Sequence, residues 1–266
     1  MSDTIFAAVL IVPTLALAIA DVAERWLPAH EPRRAPGNKA GLAFLAAVLV
    51  VYQVIQLALQ RLAPQPLTLV RPSDVPAALA VVVGLYVGGL VDYLVHRFVS
   101  HSRAFFWTHE YHHLPSEVML LMPGLAARPF AIVAAFPVAW ATGWVAGSAD
   151  AMKALVVAQV LLLVTSHSSF LRRFRWVHVV MSRLGLTTPR EHLLHHTTDL
   201  RGNYANLTTV WDRVFGTYLD PDTHEARELG LPYDQDWLGA ITLGLVKLPR
   251  SWRERFDIGR WCNLRA

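Results

Sequence analysis

Two short segments of the chain repeat one arrangement of histidines. The segment "HEYHH" spans residues 109–113 and "HLLHH" spans residues 192–196, and in both a histidine is followed three and four positions later by a histidine pair. On an α-helix, positions i, i+3 and i+4 lie close to one face, so each segment is predicted to present its imidazoles to one side. Neutral imidazole is a good ligand for iron, copper, zinc and nickel. The repeated spacing therefore predicts a metal site.

Further histidines extend this site. His96 and His101 precede the first segment, and their separation of five fits one face of a regular helix poorly, so a local distortion or a helix end is expected between them. His167 lies between the two segments. This number of imidazoles exceeds the needs of one ion and predicts two metal ions with open positions. The predicted metal ligands are His96, His101, His109, His112, His113, His167, His192, His195 and His196.

The remaining histidines are given other interpretations. His30 and His224 are predicted to be interfacial or hydrogen-bonded residues without a metal. His178 lies in "RRFRWVH" and is predicted to belong to a basic interfacial stretch, with support of a metal ligand as the alternative. Buried imidazoles without partners would cost stability, which favours a metal at the two clustered segments.

The elements that position these residues are predicted from composition. The chain has 266 residues, of which 54% are hydrophobic, and its mean hydropathy is +0.35. Several apolar runs approach the roughly 20 residues that a transmembrane helix needs. These features predict an all-α integral membrane protein with four to five transmembrane helices. The apolar runs cover residues 5–22, 41–59, 75–95, 129–147 and 151–165.

Charge and cysteine content restrict the interpretation further. The first apolar run lacks a basic leader and a small-residue cleavage site, so it is interpreted as a span rather than a signal peptide. The single cysteine, Cys262, excludes an intramolecular disulfide, and a net charge of +4 does not require nucleic acid as a partner.

The distribution of arginine predicts the topology. Basic residues are dense between the first two runs and again over residues 172–190, and the positive-inside rule places such segments in the cytoplasm. Five spans then fit, with the N-terminus outside and with residues 129–165 forming a hairpin whose tip lies at 147–150. All of the predicted ligands fall on the cytoplasmic side, in a histidine-rich helical cap that holds a di-metal site.

Four stretches carry a resemblance to a known family. "DYLVHRFVSH", "THEYHH", "SHSS" and "TPREHLLHHTTDLRGNYANLTTVWDRVFGTY" resemble the fatty acid hydroxylase and sterol desaturase superfamily, which consists of membrane di-iron enzymes, over about residues 76–220. The resemblance assigns eight of the histidines to the family's three histidine boxes and matches His167 to an isolated histidine that often ends the last span. Asn203 matches an asparagine of the tail block, with a place near the metals implied. Two positions depart from the pattern. Glu191 stands where many relatives have a further histidine, and Ala205 stands where a glycine is usual.

The resemblance implies a reaction and its cofactors. Two iron ions, for which zinc can substitute on overexpression, would activate O2 and hydroxylate an unactivated C–H bond of a lipid. Desaturation of a lipid or sterol at the same site is the alternative, and no catalytic residue is implied beyond the metal ligands. The chain shows no haem or flavin domain and no Gly-rich dinucleotide fingerprint, so electrons would come from a separate donor of reductase, ferredoxin or cytochrome type. The implied location is a bacterial inner membrane.

A rival class is a haem-binding membrane electron carrier or a metal transporter. Haem ligation favours single histidines deep within the spans, and a transporter places polar residues near the bilayer midplane. The predicted spans are nearly free of both kinds of residue. The sequence therefore favours the oxygenase.

Three predictions concern the surroundings of the site. Asp92 would be costly if it faced lipid, and a role in orienting a metal-binding imidazole is the alternative. Asp212 and Arg213 are predicted to pin the C-terminal region through an ion pair. The predicted domains are 1–75 for N-terminal transmembrane helices and loops, 76–220 for the catalytic domain, and 221–266 for an interfacial helix and a basic tail.

Overall fold

A computed structural model of the chain describes its helices in the order of the sequence. The described residues are 2–24, 76–102, 104, 106, 109, 112, 113, 149–197, 201–227, 229 and 246. The α-helices are α1 (Asp3–Ala23), α2 (Ala77–Val95), α3 (Ala149–Ser166), α4 (Ser169–Arg172), α5 (Arg175–Arg183), α6 (Pro189–His195) and α7 (Val210–Val214). Across these ranges the chain forms no β-strand and only isolated bridges, so the described part is helical, as predicted.

Helices α1, α2 and α3 are apolar and run in the same direction. Ala18 of α1 packs on Val164 of α3, and the end of α1 reaches the residues that follow α3. Near the start of α2, a Cβ added at Gly84 would lie 2.4 Å from the Leu155 side chain, so the absence of a side chain there permits the close approach of α3. Both α2 and α3 then lead into histidines at their C-terminal ends.

Two of the described helices are long and apolar enough to cross a membrane. They are Thr4–Ala23 and Val81–Ser100, and Lys153–Ser166 is a shorter apolar helix. The predicted runs 5–22, 75–95 and 151–165 coincide with α1, α2 and α3. The runs 41–59 and 129–147, and most of the predicted C-terminal domain, lie outside the described residues. The number of spans and the domain boundaries therefore stay predictions.

Helix α2 changes its hydrogen-bonding pattern where its histidines begin. Residues His96–Ser100 form a π-helical turn, in which the His101 N–H donates to the His96 carbonyl at 3.1 Å. In a regular α-helix, residues five apart point about 140° away from one another, and the wider π turn reduces this angle. The predicted distortion between His96 and His101 is confirmed, and the π turn is its form.

The start of α6 is fixed by a capping box. Thr188 is the N-cap residue, and its N–H donates to the Glu191 carboxylate at 2.9 Å, while its hydroxyl accepts from the Glu191 N–H at 3.2 Å. Pro189 follows at the first position of the helix, where a missing N–H costs nothing. These interactions satisfy donors that a helix leaves free at its start. They determine where the histidines of α6 lie.

The segment around α7 packs along the middle of α2. The Trp211 indole N–H donates to the Tyr86 carbonyl at 2.9 Å, and the Tyr86 hydroxyl donates to the Leu184 carbonyl at 2.6 Å. A Cβ added at Gly89 would lie 2.7 Å from the Thr208 hydroxyl oxygen. Close packing at these positions holds α7 and the residues just before it against α2.

The parallel direction of α1, α2 and α3 predicts the sidedness of the chain. In a Cys262→Ser background, we expect Ser2→Cys, at the start of α1, to react with an impermeant thiol reagent on intact cells. Ala104→Cys and Thr223→Cys should react only after the membrane is opened, because they lie at the histidine end of the helices. Labelling of positions 104 and 223 from opposite sides would contradict the predicted topology.

Candidate metal centre

The nine predicted ligands are brought together in two adjacent groups. In each group, one ligand nitrogen from every histidine lies within 4.8 Å of those of the others. The five-histidine group consists of His96, His101, His109, His113 and His195, and the four-histidine group consists of His112, His167, His192 and His196. The groups adjoin, since the ring centroids of His113 and His196 are 4.6 Å apart.

Each repeated segment contributes to both groups. In α6, His192 belongs to the four-histidine group together with His196, the C-cap residue, whereas His195 belongs to the five-histidine group. On a helix, position i+4 lies about 40° to one side of position i and position i+3 about 60° to the other, so the two can diverge. The three imidazoles of α6 still lie on one side, as predicted, with ring centroids 4.8 to 5.6 Å apart, but they belong to two adjoining groups.

The first segment shows the same division with the groups exchanged. His109 and His113 belong to the five-histidine group, whereas His112 belongs to the four-histidine group. The three histidines themselves lie in turns and a bend rather than within a helix, whereas residues 110 and 111 lie outside the described residues. The His109 N–H donates to the Phe106 carbonyl at 2.8 Å, and the His112 N–H donates to the His109 carbonyl at 2.9 Å.

The Nε2 atoms of the four-histidine group converge closely. His192 Nε2 lies 2.8 Å from His167 Nε2 and 3.1 Å from His196 Nε2. His112 Nε2 lies 3.5 Å from His167 Nε2. A neutral imidazole carries one N–H, so these atoms cannot all satisfy one another. Imidazole nitrogens about 2.1 Å from a shared ion would be separated by roughly 3.0 to 3.4 Å, which fits a metal centre.

The five-histidine group also converges through Nε2 atoms. His96 Nε2 lies 2.9 Å from His109 Nε2 and 3.3 Å from His101 Nε2. The Nε2 atoms of His113 and His195 are buried and have no hydrogen-bond partner within the described part of the chain. Buried nitrogens without a partner are costly and therefore rare. A bound cation would satisfy them, so the donor set of this group also fits a metal ion.

Backbone carbonyl groups orient three of the imidazoles. The Nδ1–H of His96 donates to the Tyr204 carbonyl. The Nδ1–H of His167 donates to the Leu163 carbonyl at 2.8 Å, and that of His195 donates to the Gly202 carbonyl at 3.1 Å. Donation from Nδ1 fixes the tautomer in which the Nε2 lone pair is available.

Burial keeps the imidazoles uncharged. The pKa values of His192, His195 and His196 lie well below the ordinary value of 6.5. The main cause is loss of solvent on burial, and the second is charge repulsion from neighbouring imidazoles. Burial has the same effect on the pKa of His101, His109 and His113. Neutral imidazole is the form that binds metal ions.

Asp92 lies near the five-histidine group and binds Asn206. Its carboxylate accepts from the Asn206 backbone N–H and from the Asn206 side-chain amide, both at 3.2 Å. The same amide nitrogen lies 3.2 Å from His96 Nδ1. Asp92 is thus paired with protein groups, and its role in orienting an imidazole stays a prediction. Asn206 was not among the predicted site residues, and its only signal in the sequence is its place three residues after Asn203.

Asn203 supports the site through backbone groups. Its side-chain amide donates to the carbonyls of Glu191 and Leu219, both at 3.0 Å, and its side-chain oxygen accepts from the Leu219 N–H at 2.8 Å. The residue is fully buried with φ of 51°. Asn203 therefore joins α6 to the segment after α7 and positions the neighbouring Gly202 carbonyl.

The two departures from the family pattern are buried and hydrogen-bonded. The Glu191 carboxylate accepts from the Tyr218 hydroxyl at 2.9 Å in addition to closing the capping box, and burial raises the pKa of Glu191 to about 7. The Ala205 carbonyl accepts from the Thr187 hydroxyl at 2.8 Å. Both residues thus support the loops around α6.

The predicted ion pair between Asp212 and Arg213 is wrong. The Asp212 carboxylate instead accepts from the N–H groups of Tyr204 and Ala205 and from the Thr217 hydroxyl, at 2.8, 2.9 and 2.8 Å. Arg213 lies over the Tyr218 ring, with its guanidinium carbon 3.6 Å from the ring centroid. Adjacent helical residues point about 100° apart, which allows these separate partners.

The other histidines lie outside the two groups or outside the described residues. His178 is buried, and its Nδ1 lies 2.9 Å from the hydroxyl of Thr188, the N-cap residue of α6, so the interfacial location of its stretch stays a prediction. His224 is exposed and lies outside both groups, as predicted. His30 lies outside the described residues.

Apolar helices that end in two groups of histidines define the chain as a membrane-associated protein with a candidate metal centre. A model of the fatty acid hydroxylase family matches residues 81–217, just over half of the chain, and this segment includes all nine histidines. The chain belongs to the fatty acid hydroxylase family, which confirms the resemblance. The family indicates lipid hydroxylation and membrane association.

A curated relative supports this assignment. The chain is 28% identical over 159 residues to the ceramide very long chain fatty acid hydroxylase SCS7 of Saccharomyces cerevisiae. The match covers 53% of this chain and 38% of the relative, so the chain spans well under half of that protein's length. No solved structure matches the chain.

The lowered histidine pKa values predict that the metal-free protein loses stability in acid. Below about pH 6.5, histidines of the unfolded chain bind protons that the folded chain does not, so acidification favours unfolding. Glu191 and Asp212, whose pKa values burial raises to about 7 and about 6, act in the opposite direction but are outnumbered by the histidines. The unfolding temperature should decrease as the pH is lowered from about 7.5 to about 5. A constant or rising temperature would contradict this account.

Replacement of Asn203 should destabilise the protein. Asn203→Ala removes three hydrogen bonds and puts alanine, which tolerates positive φ less well than asparagine, at this position, so we expect the free energy of unfolding to fall by about 2 to 4 kcal/mol. Asn203→Gly accepts the backbone conformation and should lose about 1 kcal/mol less. Denaturation in detergent measures both, with Thr223→Ala as the exposed control. Wild-type stability in Asn203→Ala would show that these bonds contribute little.

Proposed function

We propose that the protein is a membrane-bound di-iron oxygenase that hydroxylates an unactivated C–H bond of a lipid. The observation that carries the proposal is the division of nine histidines into two adjacent groups, in a chain of the fatty acid hydroxylase family. The five-histidine group would hold one ion and the four-histidine group the other. Iron bound there would supply activation of O2 and oxidation of the C–H bond.

The protein's own contribution is ligand geometry in a largely buried site. His192 is fully buried and His167 and His196 are each 1% exposed, whereas His112 is half-buried, so most of the four-histidine group is shielded from bulk solvent. The carbonyls of Leu163, Gly202 and Tyr204 fix the orientation of their imidazole partners. Fixed rings hold their nitrogens in place without rearrangement when a metal binds.

The substrate is proposed to be a lipid with a long acyl chain. The curated relative is by name a hydroxylase of very long chain fatty acid in ceramide, which favours an acyl chain and favours hydroxylation over desaturation. We place the site on the cytoplasmic side of the membrane, in a catalytic domain of about residues 76–220. O2 is the co-substrate, and a separate reductase, ferredoxin or cytochrome supplies electrons.

The convergence of the histidines disfavours the rival class. A haem is held by one or two axial ligands. Here five and four imidazoles meet at two points, which is more than haem ligation uses. The site therefore favours a di-metal enzyme over a haem-binding electron carrier.

Metal analysis tests the assignment of the two groups. The wild-type protein should contain about two metal ions per chain, with iron in the working form, although zinc can replace it on overexpression. His195→Ala removes a ligand from the five-histidine group and His192→Ala one from the four-histidine group. Each variant should abolish turnover and lower the content to about one ion, because coordination in one group is broken while the other remains.

His224→Ala is the matched control, since this histidine is exposed and lies outside both groups. Its metal content and turnover should equal those of the wild type. One ion per wild-type chain, or haem iron alone, would overturn the di-metal assignment. Comparison of lipids from a deletion strain and its parent identifies the product, for which we expect species with one added oxygen in the parent.

A further inference from the structure

Helix α1 carries no predicted metal ligand and lies outside the residues that the family matches. Only 11% of its span is buried, yet Asp21 in its last turn is 1% exposed. Burial of a carboxylate is costly unless hydrogen bonds compensate for the lost water. The interactions of Asp21 therefore indicate what this end of α1 does.

Asp21 binds the junction between α3 and α4. Its Oδ1 atom accepts from the Ser168 hydroxyl at 2.6 Å and from the Phe170 N–H at 3.0 Å. Ser168 is the N-cap residue of α4, and its own hydroxyl oxygen accepts from the Leu171 N–H at 3.2 Å. Hydrogen bonds to a carboxylate are stronger than those between neutral groups. Asp21 and Ser168 together thus satisfy the first turn of α4.

This junction contains a member of the four-histidine group. Helix α3 ends at Ser166 and Ser168 caps α4, so His167 is the single residue between them. The bond from His167 Nδ1 to the Leu163 carbonyl sets the rotation of the ring. The position of the ring depends in addition on the path of the backbone, and Asp21 holds the residue that follows.

We propose that Asp21 is a positioning residue for the four-histidine group. By fixing Ser168 and Phe170, it places His167 Nε2 where it meets the nitrogens of His192 and His112. Helix α1 is then part of the support of the metal centre, although the matched family segment begins after it. This inference rests on the proposed function, because it concerns retention of the second metal ion.

Metal retention in Asp21 variants tests the proposal. Asp21→Ala should bind one of its two ions about 10- to 100-fold more weakly, the range typical of residues that support metal ligands, and a chelator should remove that ion first. Asp21→Asn should retain most of the affinity, because its side-chain oxygen can accept the same two hydrogen bonds. Equal losses in both variants would overturn the hydrogen-bonding role of Asp21.

A second pair of variants identifies the group that is weakened. Addition of Asp21→Ala to His192→Ala should cause no further loss of metal, because both changes act on the same group. Addition of Asp21→Ala to His195→Ala should weaken binding of the one ion that remains, because both groups are then impaired. Loss from the five-histidine group instead would overturn the proposal.

Ser168→Ala removes the hydrogen bond between Asp21 and Ser168 by changing its donor and should weaken binding of the same ion. This variant keeps the test valid if Asp21→Ala does not fold. Glu24→Ala is the matched control on α1. Its carboxylate lies 3.4 Å from Arg173 in a partly exposed pair, and such pairs contribute little. This control should retain both ions.

The outcomes separate this inference from the proposed function. A wild-type protein without two metal ions would overturn the proposed function itself. A wild-type protein with two ions, together with an Asp21→Ala variant that releases both at the wild-type rate, would overturn only the role of Asp21.

Discussion

The convergence of uncharged imidazole nitrogens in a buried space is the interaction on which the described structure depends. The nitrogens meet at 2.8 to 3.5 Å, and one N–H per neutral imidazole cannot satisfy all of them in the absence of a cation. The surrounding fold must therefore hold the rings together by contacts made elsewhere. Those contacts are the Nδ1 hydrogen bonds to backbone carbonyls and the packing of the elements that carry the histidines.

Buried polar residues that are not predicted ligands provide this support. Glu191 closes the capping box of α6, and Asn203 accepts from and donates to backbone groups on both sides of α7. Asp212 accepts two hydrogen bonds from the loop that carries the Tyr204 carbonyl and a third from the Thr217 hydroxyl, which follows α7. Each group is costly to bury alone and is satisfied by a neighbour. The result is a network in which α6 is held at its start and along its length.

The apolar helices place this network at one end of a parallel set. Helices α1, α2 and α3 all have their C-terminal ends at the histidines, which is the direction that the first, third and fifth spans of the predicted topology share. Such an arrangement allows polar chemistry to adjoin an apolar phase. Membership of the fatty acid hydroxylase family agrees with a substrate that resides in that phase.

The sequence alone predicted the clustering of the histidines, the described apolar helices and the family, because residue type and local spacing carry those signals. A separation of five between His96 and His101 was enough to predict a distortion, since helical geometry is local. Division of each triplet between two groups was decided by tertiary structure, because it depends on which elements lie on either side of α6. The partners of Asp212 and the contact from Asp21 to Ser168, 147 residues away, were likewise absent from any local pattern. Hydrogen bonds between distant residues depend on how helices pack, and spacing along the chain does not determine that packing.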